Sequence, residues 1–391
     1  MSSFSKKTEE ANPMPDEKIP DSLPEFVSLM KSQNVEPERY SALIDRFLDT
    51  KARRNGIPLY GKFELTPLCN LDCKMCYVHL NKAQMQSAKL LPVETWKSIA
   101  KAAIDMGMMK IELTGGECLT YPDFDELYLY LHSFGIEICV FTNGILLDEK
   151  RVEFFKKHPP RRIQVTLYGD SEETYEAVTG HRQFERVINN IKNARDSGLP
   201  LVIAVTPNRY MAGKGEDVVR TVLSLGLRLR LNYGMLEPRE NTERQGDNHD
   251  TSLDEYVRMA KLEADSYHLE LQPIDDSSLP DLGGDGHSEY GMRCGAGRST
   301  FSIDWQGGMH PCNSLYTISK KPLEIGFEAA WKEINNISNN YPRPIECSGC
   351  RYRDVCLPCL ALHLQGGSTG HANPQICERT KRMVREGILK L

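Results

Sequence analysis

The chain has 391 residues, 40% of them hydrophobic, which is enough for two or three domains with a sizeable core. A formal net charge of −6, with pI near 6.0, leaves no electrostatic case for nucleic acid or anionic membranes. No apolar run approaches the ~20 residues of a membrane span, and twelve cysteines behind a polar Met1–Lys7 point to metal or redox use in a reducing cytoplasm rather than to disulfides.

Residues 1 to about 35 are polar and proline-punctuated, which predicts a mobile segment. Tyr40, Leu43, Ile44, Phe47 and Leu48 then recur at helical spacing, so a short amphipathic helix is expected from about Pro37 to Arg53. It either caps a barrel or helps to grasp a peptide. From Lys62 the pattern alternates. Strands are predicted at Phe63–Thr66, Lys110–Thr114, Glu137–Thr142, Ile163–Leu167, Leu201–Thr206 and Arg228–Tyr233. Helical patterns fall between them at Pro92–Met106, Pro122–Phe134, Asp148–Lys157, Phe184–Ser197 and Gly215–Leu225. This alternation argues for α/β architecture, with parallel strands and right-handed crossovers curling into one layered barrel. A helix at Ser252–Tyr267 closes it, and Pro238–Asp250 reads as a charged exposed loop. After about Asp275 the texture changes, starting with loop-like Asp281–His287. Seven cysteines follow in a stretch poor in long periodic segments, where bound metal would supply the missing stability. The expected division is 1–57 as an N-terminal extension, 58–275 as the core barrel and 276–391 as a cysteine-rich domain.

The first predicted strand runs into Thr66-Pro67-Leu68-Cys69-Asn70-Leu71-Asp72-Cys73-Lys74-Met75-Cys76-Tyr77. Ordinary cubic iron–sulfur clusters take four cysteines. Three on one loop leave one iron free to bind a substrate or cofactor. Half of a zinc site and plain buried cysteines are the competing readings, but zinc knuckles supply pairs rather than this asymmetric triplet. The spacing and its place after the first strand resemble the radical SAM superfamily. That resemblance implies an incomplete (β/α)6 barrel and a 4Fe–4S cluster held by Cys69, Cys73 and Cys76. S-adenosylmethionine (SAM) would chelate the open iron and be cleaved to a 5′-deoxyadenosyl radical that takes hydrogen from the substrate.

Leu113-Thr114-Gly115-Gly116-Glu117 ends the second predicted strand, and glycines there permit close backbone approach. The resemblance assigns Gly115, Gly116 and Glu117 to the motif that receives the SAM amino group. Most relatives have proline next; here it is Cys118, read as structural, and Cys139 within a strand reads as core. Thr142-Asn143-Gly144 matches a recurrent family signature, so Asn143 is expected to line the pocket. Thr166 could bond the SAM ribose or carboxylate, although Tyr168 stands where relatives often show aspartate. All these positions lie at strand C-termini, the face on which parallel barrels build active sites.

Cys347-x2-Cys350-x5-Cys356-x2-Cys359, followed by Cys377, has metal-site spacing. Alone it would read as a zinc ribbon; joined to the first motif it resembles the SPASM extension, a small domain with two auxiliary 4Fe–4S clusters. Here two residues rather than the common three separate the third and fourth cysteines. Carried over by position, Cys347, Cys350, Cys356 and Cys377 would hold the distal cluster. Cys294, Cys312 and Cys359 would hold the proximal one. Fully ligated relatives have another cysteine about six residues after the first, where this chain reads Gly295-Ala296-Gly297-Arg298-Ser299-Thr300. An open proximal iron is therefore expected, with His287 and His310 read as surface histidines.

The resemblance implies a radical SAM oxidoreductase that modifies a peptide, forming a thioether or carbon–carbon crosslink, with a flavodoxin- or ferredoxin-type electron donor. A small-molecule dehydrogenase, a sulfatase-type protein maturase and a zinc-binding scaffold are the alternatives. The acidic residues Glu112, Asp123, Asp170, Glu237 and Asp304 lie near predicted strand ends or turns, and no spacing marks one of them as the catalytic base.

Overall fold

The computed structural model describes residues 20, 22–33, 37, 40–78, 80, 82–232, 234–236, 239, 249–267, 291–292, 294–352, 355–356, 359–364 and 370–389. Its centre is one eight-stranded sheet in the order β6-β5-β4-β3-β2-β1-β7-β8. The strands are β1 (Tyr60–Glu64), β2 (Lys110–Thr114), β3 (Glu137–Thr142), β4 (Arg162–Thr166), β5 (Leu201–Val205), β6 (Arg228–Leu231), β7 (Thr300–Ile303) and β8 (Met309–His310). Neighbours are parallel throughout except for the β7–β8 hairpin. The result is a partial (β/α)6 barrel, extended beyond β1 by a hairpin from the cysteine-rich region.

Side chains alternate across each strand. One parity, including Phe63, Leu113, Val140, Val165, Ile203 and Phe301, is fully buried in the main core. The Phe63 ring lies 4.9 Å from that of Trp96, and Phe301 packs edge-on to Phe327 at 5.2 Å and Trp331 at 6.0 Å. Burying each such side chain contributes about 1.5–3 kcal/mol. The opposite parity carries Tyr60, Lys62, Glu64, Glu112, Gln164 and Ser302 and makes the inner face polar. For that reason β1 starts at Tyr60, three residues before the predicted start: the polar Tyr60 and Lys62 and the intervening Gly61 look like loop residues in the sequence.

The covering helices are α1 (Leu23–Ser32), α2 (Tyr40–Asn55), α3 (Lys82–Ser87), α4 (Val93–Asp105), α5 (Phe124–Ser133), α6 (Glu149–Lys157), α7 (Glu172–Thr179), α8 (Phe184–Asp196), α9 (Gly215–Ser224) and α10 (Leu253–Ser266). The C-terminal region adds α11 (Pro322–Ile325), α12 (Phe327–Asn339), α13 (Leu360–Leu364) and α14 (Pro374–Arg385). Three expectations need correction. The N-terminal extension holds two helices, not one: Ser22 and Glu25 form a reciprocal cap for α1, and Phe26 stacks on Phe47 of α2 at 4.7 Å. The tail is richer in periodic structure than expected, since α12 and α14 are each three turns or longer and bury one face. In the segment expected to be an exposed loop, Arg239 and His249 are both buried. No helix among the described residues is long and apolar enough to cross a membrane.

Candidate functional site

The loop after β1 is fixed from two sides. Toward α7, Asp72 N–H donates to Thr179 O and Lys74 N–H to Val178 O, each at 3.0 Å. Toward β2, Gly116 N–H donates to Thr66 O at 2.6 Å and Glu117 N–H to Leu68 O at 2.9 Å. A Cβ on Gly115 would lie 2.4 Å from Thr66 O, and one on Gly116 would lie 2.3 Å from Leu68 O. Gly115 also has φ +144°, a conformation that L side chains rarely adopt. The two glycines therefore let β2 approach the cysteine loop itself, which the sequence reading had not anticipated.

Cys69, Cys73 and Cys76 converge on one locus. Burial, then the neighbouring Cys76 and Cys69, push the Cys73 thiol well up. Burial, then the Glu117 carboxylate, push Cys69 up to about 12. Two groups answer this: Asn143 Nδ2 lies 3.7 Å from Cys69 Sγ, and the Tyr168 hydroxyl favours the Cys73 thiolate. Buried thiols that repel one another as thiolates call for a cationic centre among them, and sulfur-directed N–H and O–H groups suit an iron–sulfur cluster. Among the described residues no three His, Cys, Asp or Glu converge tightly enough for a single metal ion. A cube spreads its ligands across several corners, so this is compatible with a cluster.

Glu117 is wholly buried, and burial raises its carboxyl above the usual range. Its oxygens accept from Asn143 N (2.7 Å), Thr142 Oγ1 (2.8 Å) and Leu119 N (3.1 Å), which ties β2 to the end of β3. Asn143 in turn donates to Asn70 Oδ1 at 2.6 Å and accepts from Ile145 N at 3.0 Å. Thr166 ends β4, half-buried. Cys118 is buried with its Sγ 3.2 Å from Phe141 O, and Cys139 is buried within β3, so both stand apart from the three-cysteine group.

The seven C-terminal cysteines sort into two groups. Burial, then Cys294 and Cys359, push Cys312 up to about 11. Burial, then Cys356, Cys350 and Cys377, push Cys347 up to about 11. Cys312 and Cys359 of the first group pack on Met292, Ala296, Leu315 and Ala361, while Cys294 is exposed, and Cys350 of the second packs on Tyr352, Val355 and Val384. His310 is not a surface residue: its Nε2 lies 2.8 Å from Asp304 Oδ2 and its Nδ1 3.1 Å from Ile318 O. Ser299, in the stretch lacking a cysteine, bonds Asp49 at 2.6 Å. His287 and Glu237 lie outside the described residues. Of the other acids, Glu112 accepts from Tyr60 OH at 2.5 Å and from Lys62 at 3.3 Å, and Asp170 accepts from Thr174.

Sequence reasoning missed the Glu64–Arg239 pair. The guanidinium forks onto the carboxylate at 2.6 and 2.8 Å, both side chains almost fully buried, between the rings of Tyr77 (4.9 Å) and Tyr316 (5.3 Å). Its only signal was an acid at a strand end, which any surface residue also gives. Tyr175 of α7 was missed as well, since a tyrosine in a short polar helix carries no sequence mark.

Comparison with known proteins agrees with this geometry. Residues 63–219 match the model of the radical SAM superfamily. The sporulation killing factor maturation protein SkfB of Bacillus subtilis (strain 168) is 28% identical over 171 residues, covering 44% of this chain and 41% of SkfB. The chain thus spans about two fifths of that relative's length. The PqqA peptide cyclase of Rhizobium meliloti (strain 1021) is 24% identical over 337 residues, covering 83% of this chain and 88% of the cyclase. In fold, the chain is similar to Streptococcus suis SuiB, solved bound to precursor peptide SuiA, with TM-score 0.63, 18% identity and coverage of 87% and 81%. The three-cysteine loop at the C-terminal edge of the partial parallel barrel, braced by a Gly-Gly-Glu segment, lies inside the stretch, residues 63–219, that matches the radical SAM superfamily.

Proposed function

We propose that this chain is a radical SAM oxidoreductase that modifies a peptide by taking hydrogen from a C–H bond, with a thioether or carbon–carbon crosslink as product. The superfamily implies a 4Fe–4S cluster and SAM; when bound, they supply the electron transfer that yields the 5′-deoxyadenosyl radical. Cys69, Cys73 and Cys76 would hold that cluster. Gly115 and Gly116 keep their loop seated, Glu117 locks the ends of β2 and β3 together, and Asn143 and Tyr168 hold Cys69 and Cys73. Glu117, Asn143 and Thr166 are assigned to SAM on their place at strand C-termini. The division at 57/58 and 275/276 goes with this reading, the last part being a SPASM-type domain.

The observation that carries it is the sorting of ten cysteines into groups of three, three and four. We assign Cys294, Cys312 and Cys359 to a proximal auxiliary cluster, and Cys347, Cys350, Cys356 and Cys377 to a distal one. Ser299 and His310 are engaged elsewhere, which supports an open iron in the proximal cluster. When bound, such clusters would take up the electron left after bond formation, and a flavodoxin- or ferredoxin-type protein would serve as the external electron donor. The named activities of SkfB, PqqA peptide cyclase and the SuiA-bound SuiB favour a peptide substrate.

Anaerobic reconstitution tests the reading. Three cubic clusters give about twelve irons per chain, and strong reductant should then release 5′-deoxyadenosine from SAM, faster with a short cysteine- or aromatic-containing peptide. Zinc without iron would overturn the whole assignment. Acceleration by a small alcohol or sugar alone would overturn the peptide substrate.

A further inference from the structure

Two phenols, Tyr168 and Tyr175, bear on the cysteine loop. Tyr168 follows β4, and its hydroxyl favours the Cys73 thiolate. Tyr175 lies on α7, its ring edge-on to that of Tyr168 with centroids 5.9 Å apart and planes at 81°. Tyr175 is wholly buried, and its hydroxyl finds no hydrogen-bond partner among the described residues. A buried hydroxyl left so costs about 1–3 kcal/mol, so the site needs an acceptor.

The candidates are few. Among the charges that bear on the Tyr175 phenol, Cys73 and Cys69 come first, Glu117 third and Glu172, at the start of α7, fourth. Both Glu117 oxygens already accept bonds from β3 or Leu119. The ring also cannot drift. A Cβ on Gly169 would come within 2.5 Å of Tyr175 N, so the chain before α7 packs directly onto its backbone. Ser171 caps the helix through Thr174 N–H, and Val178 and Thr179 accept the amides of Lys74 and Asp72. The helix that carries the phenol is the one that holds the cysteine loop.

We propose that Tyr175, alongside Tyr168, donates an O–H···S hydrogen bond to the iron–sulfur cluster held by Cys69, Cys73 and Cys76, and thereby sets the cluster's reduction potential. The inference rests on the cluster assignment made above. Donors aimed at cluster sulfur stabilise the reduced, more negative state and raise the potential. Both tyrosines are thus tuning residues that act through the cluster's sulfur, with no proton or electron passing through them.

The test uses the full chain, anaerobically reconstituted, as wild type, Tyr175→Phe, Tyr168→Phe and the double variant. Iron per chain, the midpoint potential of the cluster whose EPR signal changes on adding SAM, and the exchangeable-proton couplings to that cluster after transfer to D2O are measured. We expect unchanged iron, a more negative potential in each single variant, a larger shift in the double, and one coupling lost with Tyr175. Full iron with unmoved potential and couplings in Tyr175→Phe overturns the proposal. Loss of iron in that variant, which keeps the ring, also overturns it, because Tyr175 is then structural. If the wild type shows no SAM-responsive cluster, the assignment of function fails instead and takes this inference with it.

Discussion

A carboxylate with no exposure normally signals a metal or a catalytic acid, yet Glu117 is used first as a clamp. Its two oxygens collect three protein donors from β3 and from the turn after β2. In Glu117→Gln one oxygen becomes an NH2 that must face a donor. We expect the change to cost about 1–3 kcal/mol of apo-protein stability in urea unfolding. A pH dependence disappears with it. Burial raises the folded-state value of Glu117 above its unfolded one, so the folded chain binds the proton more tightly. That contribution is present at low pH and is lost as pH climbs from the ordinary glutamate range through the raised value. The wild-type midpoint should carry this fall and the glutamine variant should not. Parallel profiles would show that Glu117 is not the titrating group. Gly116→Ala is more severe, because a Cβ 2.3 Å from a backbone oxygen can be relieved only by moving the cysteine loop.

At the scale of elements, α7 does most to place the site, although no motif marks it. It spans Glu172–Thr179, is capped at Ser171 and ends in a left-handed Gly180, and its last two carbonyls accept the amides of Asp72 and Lys74. Gly169→Ala should push α7 off this seat, since the added Cβ meets the backbone of Tyr175. Amide exchange at Asp72 and Lys74 should then accelerate by roughly tenfold or more, one power of ten for each ~1.4 kcal/mol of lost local stability. Unchanged protection there would show that the loop stands without the helix. The sequence made β2 to β6 legible because their outward parity is apolar against α4 to α9. It hid the start of β1 because the inward parity is polar. It hid α7 because eight residues with mixed polarity show little period, and β7 and β8 because two- and four-residue strands show none. The cysteines themselves were legible as motifs. What surrounds them (Glu64, Arg239 and Tyr175) was not, since contacts between β1, the chain after β6 and α7 have no trace in local order.

Across the whole molecule, Arg239 and Glu64 join parts that lie far apart in sequence. Arg239 N–H donates to Tyr77 O at 2.9 Å, and its guanidinium also bonds Asn313 O. Asn313 Nδ2 reaches Tyr77 OH at 2.9 Å, and Tyr316 OH donates to Arg239 O at 3.1 Å. Tyr77 follows Cys76 and Asn313 follows Cys312, so a single buried ion pair at the end of β1 ties two cysteine groups to one point. Taking both charges out of water is costly, and the fork geometry with its two flanking rings offsets that cost only while both partners remain. Arg239→Met strands Glu64 in a dry site and should lower stability by about 3–5 kcal/mol, read as a fall in urea midpoint. Combining it with Glu64→Leu removes the stranded charge at similar volume, so the double variant should regain most of the loss. Additive single costs would show that the two side chains act independently, and the pair would then not be the joint between the barrel and its cysteine-rich tail. Recovered stability together with lowered iron content would separate the two roles of the pair: packing tolerates its replacement, but the spacing of the Cys76 and Cys312 loops depends on the guanidinium that reaches both.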